Sequence, residues 1–486
     1  MFTKKAHIHF LGIGGIGMSG IATVLKHQGY TISGCDADLD QQSVRKLCQI
    51  GCQIYQGNNT PACRNSDVDI VVYSSAVGQD HPELAAARKR GIPTIPRAVM
   101  LAELMRTKYS VAIGGSHGKT TTTSLISHIL IEAGMDPTVI IGGHLKTISN
   151  NARLGGGDFL VAEADESDRS LLHLHATIAL ITNVDLEHLE TYRDLADVKE
   201  TFRQFISHLP FYGLAIVCDD DPEARSLLPI PHVRAITYGT TPRAHLYATE
   251  IQLSPDYSTF NVHHNGSALG HVTLSMPGHH NVLNALGAIA LARTLNVPFN
   301  RIASALQRFK GIDRRFSYNG TYHGAEIFDD YGHHPKEIAL TLAMARRRAK
   351  GRVIVFFQPH RYSRTHHLWK SFVKVLSSDD LDHLVMTDIY AASEAPLPGV
   401  TTQRLAADIA TAQPTLPVDY VPFDKQLDAL HTTIKKIIRP DDLVLLLGAG
   451  KVNLLAQRLL NKQQMTPHSA RSTKRSPTLA SSARHS

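Results

Sequence analysis

Residues 110–123 have the sequence SVAIGGSHGKTTTT, which joins an apolar segment to a glycine-rich loop and a run of threonines. The pattern predicts a strand over 110–113 and a helix over Lys119–Ala133, closed by Gly134. Glycines let backbone N–H groups turn towards phosphate oxygens, and the N-terminus of the following helix favours negative charge. The stretch therefore predicts a nucleoside triphosphate site formed by the loop residues Gly115, Ser116, His117, Gly118, Lys119, Thr120 and Thr121.

Two further predicted strands end in residues that suit a magnesium site. Glu163 ends the apolar segment 159–163, and His188 follows the apolar segment 177–181 after a few polar residues. Enzymes with such loops hold Mg²⁺ with a loop hydroxyl, here that of Thr120, and a carboxylate at a strand end. An isolated histidine is more often structural, but His188 stands beside carboxylates at a strand end. We predict metal ligation by Thr120 and Glu163, phosphate contact by Lys119, and a functional role for His188.

The N-terminal region contains a second phosphate-binding pattern. Gly12-x-Gly14-x-x-Gly17 follows an apolar segment and opens a helical pattern, and Asp36 ends the next predicted strand. This spacing is typical of dinucleotide binding. By itself it indicates a diphosphate at a helix N-terminus and does not say which nucleotide carries it.

The C-terminal half contains polar clusters after two predicted strands. Tyr331 and His333 lie between the strand 326–328 and a helix that begins at Pro335. Arg361 and Arg364 follow the strand 353–357. Open α/β sheets bind ligands at the carboxyl ends of their strands, and two arginines can clamp a carboxylate.

The alternation of strands and helices along the chain predicts an α/β protein with parallel sheets. The 486 residues are long enough for about three domains. We predict domains at 1–108, 109–313 and 314–465, followed by a disordered basic tail at 466–486, whose Ser, Thr and Arg residues show no apolar periodicity.

Charge and composition limit the class of protein. The net charge is +7, and Arg471, Lys474, Arg475 and Arg484 of the tail supply four of these charges, so we predict no nucleic-acid partner. No apolar run reaches the ~20 residues of a membrane-spanning helix, which argues against membrane insertion. The five cysteines show neither metal-site spacing nor a disulfide framework. These features predict a cytoplasmic location.

Six motifs in order resemble those of the Mur ligases. They are GIGGIGMSG (12–20), GSHGKTTT (115–122), EADESD (163–168), HNVLN (280–284), RRF (314–316) and DDYGHHP (329–335). The resemblance covers residues 6 to 460 and implies a Rossmann-like UDP-binding domain, a central P-loop ATPase domain and a C-terminal Rossmann-like domain. It further implies that ATP and Mg²⁺ convert the carboxylate of UDP-N-acetylmuramate to an acyl phosphate, which the amine of L-alanine attacks. This reaction is the first amino-acid addition in peptidoglycan precursor synthesis. We expect the protein to be a monomer or weak homodimer.

The resemblance also implies roles for individual residues. Thr120, Glu163 and His188 hold Mg²⁺, and Lys119, Glu163 and His188 are catalytic. Asn284, Arg315 and Asp330 join the loop in binding ATP. The UDP-sugar contacts Gly14, Gly15, Gly17, Asp36 and Ser74, whereas the amino acid lies among Tyr331, His333, Arg361 and Arg364.

Three alternatives remain open. One is a recycling ligase that adds a whole tripeptide to the same sugar nucleotide, although Tyr331-Gly332 and Thr182-Asn183 match the alanine-adding enzymes better. An NAD-dependent dehydrogenase would explain Gly12–Gly17 but not Lys119 or Glu163. The third is a nucleotide-dependent regulatory protein, for which the basic tail is the only indication.

Overall fold

A computed structural model describes residues 5–57, 67–74, 77–146, 148, 150–392 and 394–461. The chain divides into two compact units: the residues up to Ser317 together with Ala339–Arg348, and Tyr318–Ile338 together with the residues from Ala349 onward. The predicted tail, 466–486, lies outside the described residues. Among the described helices, none is long and apolar enough to cross a membrane.

The first unit begins with a five-stranded parallel sheet, in the order β3-β2-β1-β4-β5. Its strands are β1 (His7–Leu11), β2 (Thr31–Asp36), β3 (Gln53–Gln56), β4 (Ile70–Tyr73) and β5 (Thr94–Pro96). Its helices are α1 (Ile16–His27), α2 (Gln42–Gln49), α3 (Pro82–Lys89) and α4 (Arg97–Met105). The sequence analysis assigned no strand to β3 or β5, which are short segments without a fully buried residue.

A ten-stranded mixed sheet completes the first unit, in the order β15-β14-β13-β12-β11-β10-β6-β9-β7-β8. Its strands are β6 (Tyr109–Gly114), β7 (Thr138–Leu145), β8 (Asn150–Arg153), β9 (Phe159–Glu163), β10 (Ile178–Ile181), β11 (Leu214–Cys218), β12 (Arg234–Gly239), β13 (Leu246–Leu253), β14 (Ser258–His264) and β15 (Ser267–Leu274). Its helices are α5 (Lys119–Glu132), α6 (Leu195–Ser207), α7 (Pro222–Arg225), α8 (His279–Thr294) and α9 (Phe299–Gln307), with a 3₁₀ turn at Ser170–His173.

Two features of this sheet follow directly from local sequence. Asn265 and Gly266, with φ of 48° and 81°, connect β14 to β15 as the two-residue hairpin turn that an Asn-Gly pair favours. The central strands β6, β9 and β10 are parallel, so their carboxyl ends meet at one edge. Helix α5 starts at that edge and is buried from Thr120 to Leu130, where it packs against α8.

The second unit contains a six-stranded sheet, in the order β16-β17-β21-β18-β19-β20. Its strands are β16 (Ser317–Tyr322), β17 (Ala325–Asp330), β18 (Val353–Phe357), β19 (His383–Met386), β20 (Val418–Tyr420) and β21 (Leu443–Leu447). The helices from this part of the chain are α10 (Pro335–Arg348), α11 (Tyr362–His367), α12 (Trp369–Leu376), α13 (Thr402–Ala412), α14 (Asp428–Ile437) and α15 (Leu454–Asn461). Every residue of β18 and β21 is buried, as expected for central parallel strands covered on both faces.

Candidate active site

The glycine-rich loop connects β6 to α5 and needs glycine at two positions. Gly115 has a φ of 130°, and a Cβ there would overlap with the hydroxyl of Thr182. Gly118 caps α5 with a φ of 82°, and a Cβ there would lie 2.5 Å from Oδ1 of Asn284. The left-handed backbone and the close neighbours together exclude larger residues at both positions, so glycine is needed for the tight turn that leads into the N-terminus of α5.

Residues that follow β10 hold the loop in place. The N–H of Ser116 donates to the carbonyl of Asn183 (3.1 Å), and the N–H of His117 donates to Asn183 Oδ1 (2.8 Å). The hydroxyl of Thr182 donates to the carbonyl of His117 (2.6 Å). Because these bonds preorganise the loop, the N–H groups at the start of α5, which have no acceptor within the helix, are presented together for an anion.

Lys119, the first residue of α5 directly after the loop, forms an ion pair. Its Nζ donates to the carbonyl of Gly115 (2.5 Å) and to Glu166 Oε1 (2.7 Å), and the Glu166 side chain is only 3% exposed. Burial opposes the charge of Lys119, but Glu166, Asp165 and Glu187 together outweigh it and raise the pKa of the lysine. Lys119 is therefore a fixed positive charge beside the loop carbonyls.

Glu163 and Thr120 form an oxygen-rich pocket at the end of β9. The N–H of Gly142 donates to Glu163 Oε1 (2.7 Å), and the Thr120 side chain is hydrogen-bonded to the same carboxyl group. Burial raises the pKa of Glu163. The hydrogen bond from Gly142 and the positive charges of Lys119 and Arg315 act to lower the same pKa but do not outweigh burial. The structure thus brings together three residues that the sequence had assigned to nucleotide or metal binding: Thr120, Glu163 and Arg315.

His188 lies in an acidic cluster after β10. Its Nε2 is 3.7 Å from Glu166 Oε1 and 3.7 Å from Glu187 Oε2, and its Nδ1 is 3.5 Å from Glu190 Oε1. His117 joins the cluster, with Nε2 3.1 Å from Glu187 Oε1. The His188–carboxylate distances are longer than hydrogen bonds, so the imidazole is near these oxygens without being tied to one.

These residues fit a divalent cation. Among the described residues, Glu166 Oε2 is buried and has no hydrogen-bond partner, which is costly for a carboxylate oxygen unless a cation is bound there. The hydroxyl of Thr120 and the carboxylates of Glu163 and Glu166 are hard oxygen donors of the kind that Mg²⁺ prefers. The imidazole of His188 is a poorer Mg²⁺ ligand than these oxygens.

Asp36, the last residue of β2, contacts the N-terminal glycine turn. The N–H of Gly14 donates to Asp36 Oδ2 (2.8 Å), and a Cβ on Gly14 would lie 2.8 Å from that oxygen. A Cβ on Gly12 would lie 3.9 Å from Ser74 Oγ, which places that hydroxyl beside the turn. Asp36 is therefore engaged by the turn itself, and the neighbouring Gly15 lies at the N-cap of α1.

Arg97 connects the start of α1 to the acidic segment that follows β9. A Cβ on Gly17 would lie 3.1 Å from its Nη1, while its Nη2 donates to Asp165 Oδ2 (3.0 Å), next to Glu166 in sequence. The guanidinium therefore spans from the start of α1 to the acidic segment that holds Lys119. Sequence reasoning missed this residue, because a single arginine at the start of a helix has no distinguishing pattern.

In the second unit, the predicted amino-acid residues lie on neighbouring loops. The ring centroids of Tyr331 and His333 are 5.3 Å apart, and those of His333 and His360 are 5.6 Å apart. Arg364 Nη1 is 3.2 Å from His360 Nδ1, whereas Arg361 Nη1 is 3.6 Å from Glu394 Oε1. Tyr331, His333 and Arg364 are thus brought together through His360, and Arg361 is beside a carboxylate.

Asp330 and Asn284 occupy structural positions in their own units. Asp330 is buried at the end of β17, where its Oδ1 accepts the N–H of Gly332 (2.7 Å). Asn284 lies in α8, where its Oδ1 accepts the Thr122 hydroxyl (3.2 Å) beside Gly118. Asn284 is therefore adjacent to the phosphate loop.

The sequence analysis also left out residues that contact the predicted site. Glu166 stood within the quoted acidic segment and Asn183 before His188, but neither was assigned a role. His360 and Glu394 were also left without a role. They contact Arg364 and Arg361, but neither belongs to a recognisable motif of its own. The only sequence feature that could have indicated Asn183 is its position as a polar residue just after the strand β10.

Comparison with known proteins gives matches along nearly the whole chain. Three family models match in order: the Mur ligase family catalytic domain at residues 7–109, the Mur ligase middle domain at 113–292 and the Mur ligase glutamate ligase domain at 314–450.

Individual relatives and structures agree with these models. UDP-N-acetylmuramate–L-alanine ligases from Syntrophotalea carbinolica and Geobacter sulfurreducens are 50% and 47% identical to this chain. The matches cover 94% and 93% of this chain, and 98% and 96% of the relatives. A crystal structure of UDP-N-acetylmuramate–alanine ligase from Thermotoga maritima superposes with a TM-score of 0.79 at 27% identity, covering 94% of this chain and 99% of that one.

Proposed function

This chain belongs to the Mur ligase family, and from that membership we propose that it joins L-alanine to the carboxylate of UDP-N-acetylmuramate with ATP. The relatives that are about 50% identical over nearly the full length are ligases of that name. The observation that carries the proposal is the arrangement of Lys119 in a preorganised glycine loop with Thr120 and Glu163 beside it.

The loop and its neighbours account for the ATP half of the reaction. The N–H groups at the start of α5 bind phosphate oxygens, and Lys119 exchanges its contact with the Gly115 carbonyl for the transferring phosphoryl group. The sugar carboxylate attacks the γ-phosphorus, ADP leaves, and an acyl phosphate is formed. The amine of L-alanine then attacks the acyl carbon, and inorganic phosphate leaves to yield the amide.

Mg²⁺ supplies charge neutralisation of the phosphates when it is bound. We assign Thr120, Glu163 and Glu166 as residues that hold it, with His188 beside them. Glu166 also keeps Lys119 protonated and oriented, because the carboxylate and the ammonium are 2.7 Å apart. A cation held by Glu166 would therefore share this carboxylate with Lys119.

We assign the other substrates to the remaining domains, at 1–108 and 314–465. The turn Gly14, Gly15 and Gly17 binds the UDP diphosphate at the N-terminus of α1, supported by Asp36 beneath the turn and Ser74 beside it. Tyr331, His333, Arg361 and Arg364 receive the amino acid, and Asp330 and Arg315 contact ATP. The substrates and the absence of a membrane-spanning helix among the described residues support a cytoplasmic enzyme, which we propose to be a monomer or weak homodimer.

The test is phosphate release by the purified chain with ATP, Mg²⁺ and UDP-N-acetylmuramate, with a panel of amino acids and the tripeptide L-alanyl-γ-D-glutamyl-meso-diaminopimelate. We expect release to be strongest with L-alanine and to be accompanied by one amide product per phosphate. Release only with the tripeptide would instead identify a recycling ligase, like the Neisseria meningitides ligase whose structure is 27% identical and covers 64% of this chain. Absence of ligation with every amine would refute the proposal.

A further inference from the structure

Three side chains that could hold a metal ion meet inside the N-terminal sheet. They are His9 on β1, Cys35 on β2 and Glu83 at the start of α3, and all three are buried. Cys35 Sγ is 3.4 Å from Glu83 Oε2, and His9 Nε2 is 4.0 Å from the same oxygen. One potential ligand atom from each residue lies within 4.8 Å of the other two.

The imidazole of His9 is oriented towards this cluster. Its Nδ1 is hydrogen-bonded to Ser33 Oγ at 2.8 Å, which leaves Nε2 to face Glu83. Among the described residues, Nε2 has no hydrogen-bond partner, although the His9 side chain is only 2% exposed. A buried imidazole nitrogen without a partner is costly, and a metal ion would satisfy it.

Space for an ion exists beside these atoms. A cavity of about 10 Å³ is lined by His9 and Glu83 together with apolar side chains, including Leu11 and Val71. This volume is about that of one water molecule or one ion. The exposed Arg90 also lines the cavity.

We propose that His9, Cys35 and Glu83 bind a transition-metal ion of the Zn²⁺ class. A thiolate, a carboxylate and a neutral imidazole together carry the two negative charges that balance Zn²⁺, so the buried site becomes neutral. A thiolate and an imidazole favour zinc over Mg²⁺ or Ca²⁺. With metal–ligand bonds of about 2.0–2.3 Å, tetrahedral ligands lie roughly 3.3–3.8 Å apart. The Cys35–Glu83 distance of 3.4 Å fits that range, and the His9–Glu83 distance of 4.0 Å is close to it.

The site lies directly under the N-terminal glycine turn. The carbonyl of Cys35 accepts the N–H groups of Gly12 (2.9 Å) and Ile13 (3.0 Å). An ion bound by Cys35 would therefore connect β1, β2 and α3 beneath the turn and stabilise it. This role is structural and does not depend on the ligase reaction.

The test is a titration of the reduced, nucleotide-free full chain with Co²⁺, followed by competition with Zn²⁺. Thiolate-bound Co²⁺ absorbs by charge transfer in the near ultraviolet, whereas Co²⁺ bound only by oxygen and imidazole around Glu163 does not. We expect a charge-transfer band that saturates at one equivalent, is abolished by Zn²⁺, and is accompanied by a higher melting temperature with Zn²⁺.

Matched variants locate the site. Cys35→Ser should lose the band and the Zn²⁺-dependent rise in melting temperature. Cys218→Ser removes an equally buried thiol on β11 and should retain both. Ser33→Ala should weaken Zn²⁺ binding by about 10–100-fold, since it removes the hydrogen bond that orients His9.

Three results would overturn the proposal. They are the absence of a thiolate band in the unsubstituted chain, a band that survives Cys35→Ser, or a band that disappears in Cys218→Ser. If Cys35→Ser does not fold, the unsubstituted chain, Cys218→Ser and Ser33→Ala still decide the matter. In that case an undiminished Zn²⁺ affinity in Ser33→Ala counts against the site.

Discussion

Replacing Gly118 by alanine tests whether the loop before α5 binds ATP. At a φ of 82°, an L-residue costs about 1–2 kcal/mol, and the new Cβ would lie 2.5 Å from Asn284 Oδ1. Turning Asn284 away would break its 3.2 Å hydrogen bond with Thr122, which is worth about 0.5–1.5 kcal/mol. We expect unfolding free energy to fall by about 1.5–3.5 kcal/mol. Displacement of the loop by about 1 Å should lower kcat/KM for ATP roughly 10²-fold.

Gly134→Ala is the matched control at the other end of the same helix. Gly134 has a φ of 78°, and no atom lies within 4 Å of the position that a Cβ would take there, so only the backbone cost of about 1–2 kcal/mol applies. Denaturant unfolding should therefore show comparable losses in the two variants, with the larger one in Gly118→Ala. Steady-state phosphate release should show that only Gly118→Ala impairs ATP use. Equal kcat/KM for ATP in both variants would refute the assignment of the loop.

Three further predictions concern other parts of the chain. Lys119→Ala should lower turnover by on the order of 10³-fold. Calorimetry should show an affinity for UDP-N-acetylmuramate within about twofold of that of the unsubstituted chain, since different loops bind the two nucleotides. Equal loss of turnover and of this affinity would contradict the domain assignment. Arg97→Gln should raise the KM for UDP-N-acetylmuramate about tenfold, because it removes the charge beside Gly17. The control Arg106→Gln removes a more exposed charge and should leave that KM unchanged. Truncation of residues 466–486 should leave kcat/KM within about twofold, and a loss of ligase activity would show that the tail contributes to the reaction.

Much of the fold and part of the candidate site could be predicted because the relevant signals are local. The segment 110–123 contains its own strand, turn and helix start, and the glycine requirement at Gly118 arises within that turn. The hairpin at Asn265 and Gly266 was predictable for the same reason. The strands that sequence reasoning missed, such as β3, are short and partly exposed, so their pairing depends on neighbours that are distant in the chain.

The sequence by itself determined the α/β class, the phosphate loop and the polar residues that follow β9 and β10. Only the tertiary structure decided which of those residues meet. Lys119 and Glu166 are 47 residues apart, Arg97 and Asp165 are 68 apart, and Cys35 and Glu83 are 48 apart. The physical reason is that strand order and helix placement set these contacts. For Lys119 and Glu166, β6 lies between β10 and β9, so three separate loops converge at one edge of the ten-stranded sheet. No local pattern records that order, because a strand's hydrophobic periodicity shows which face is buried and not which strand lies beside it.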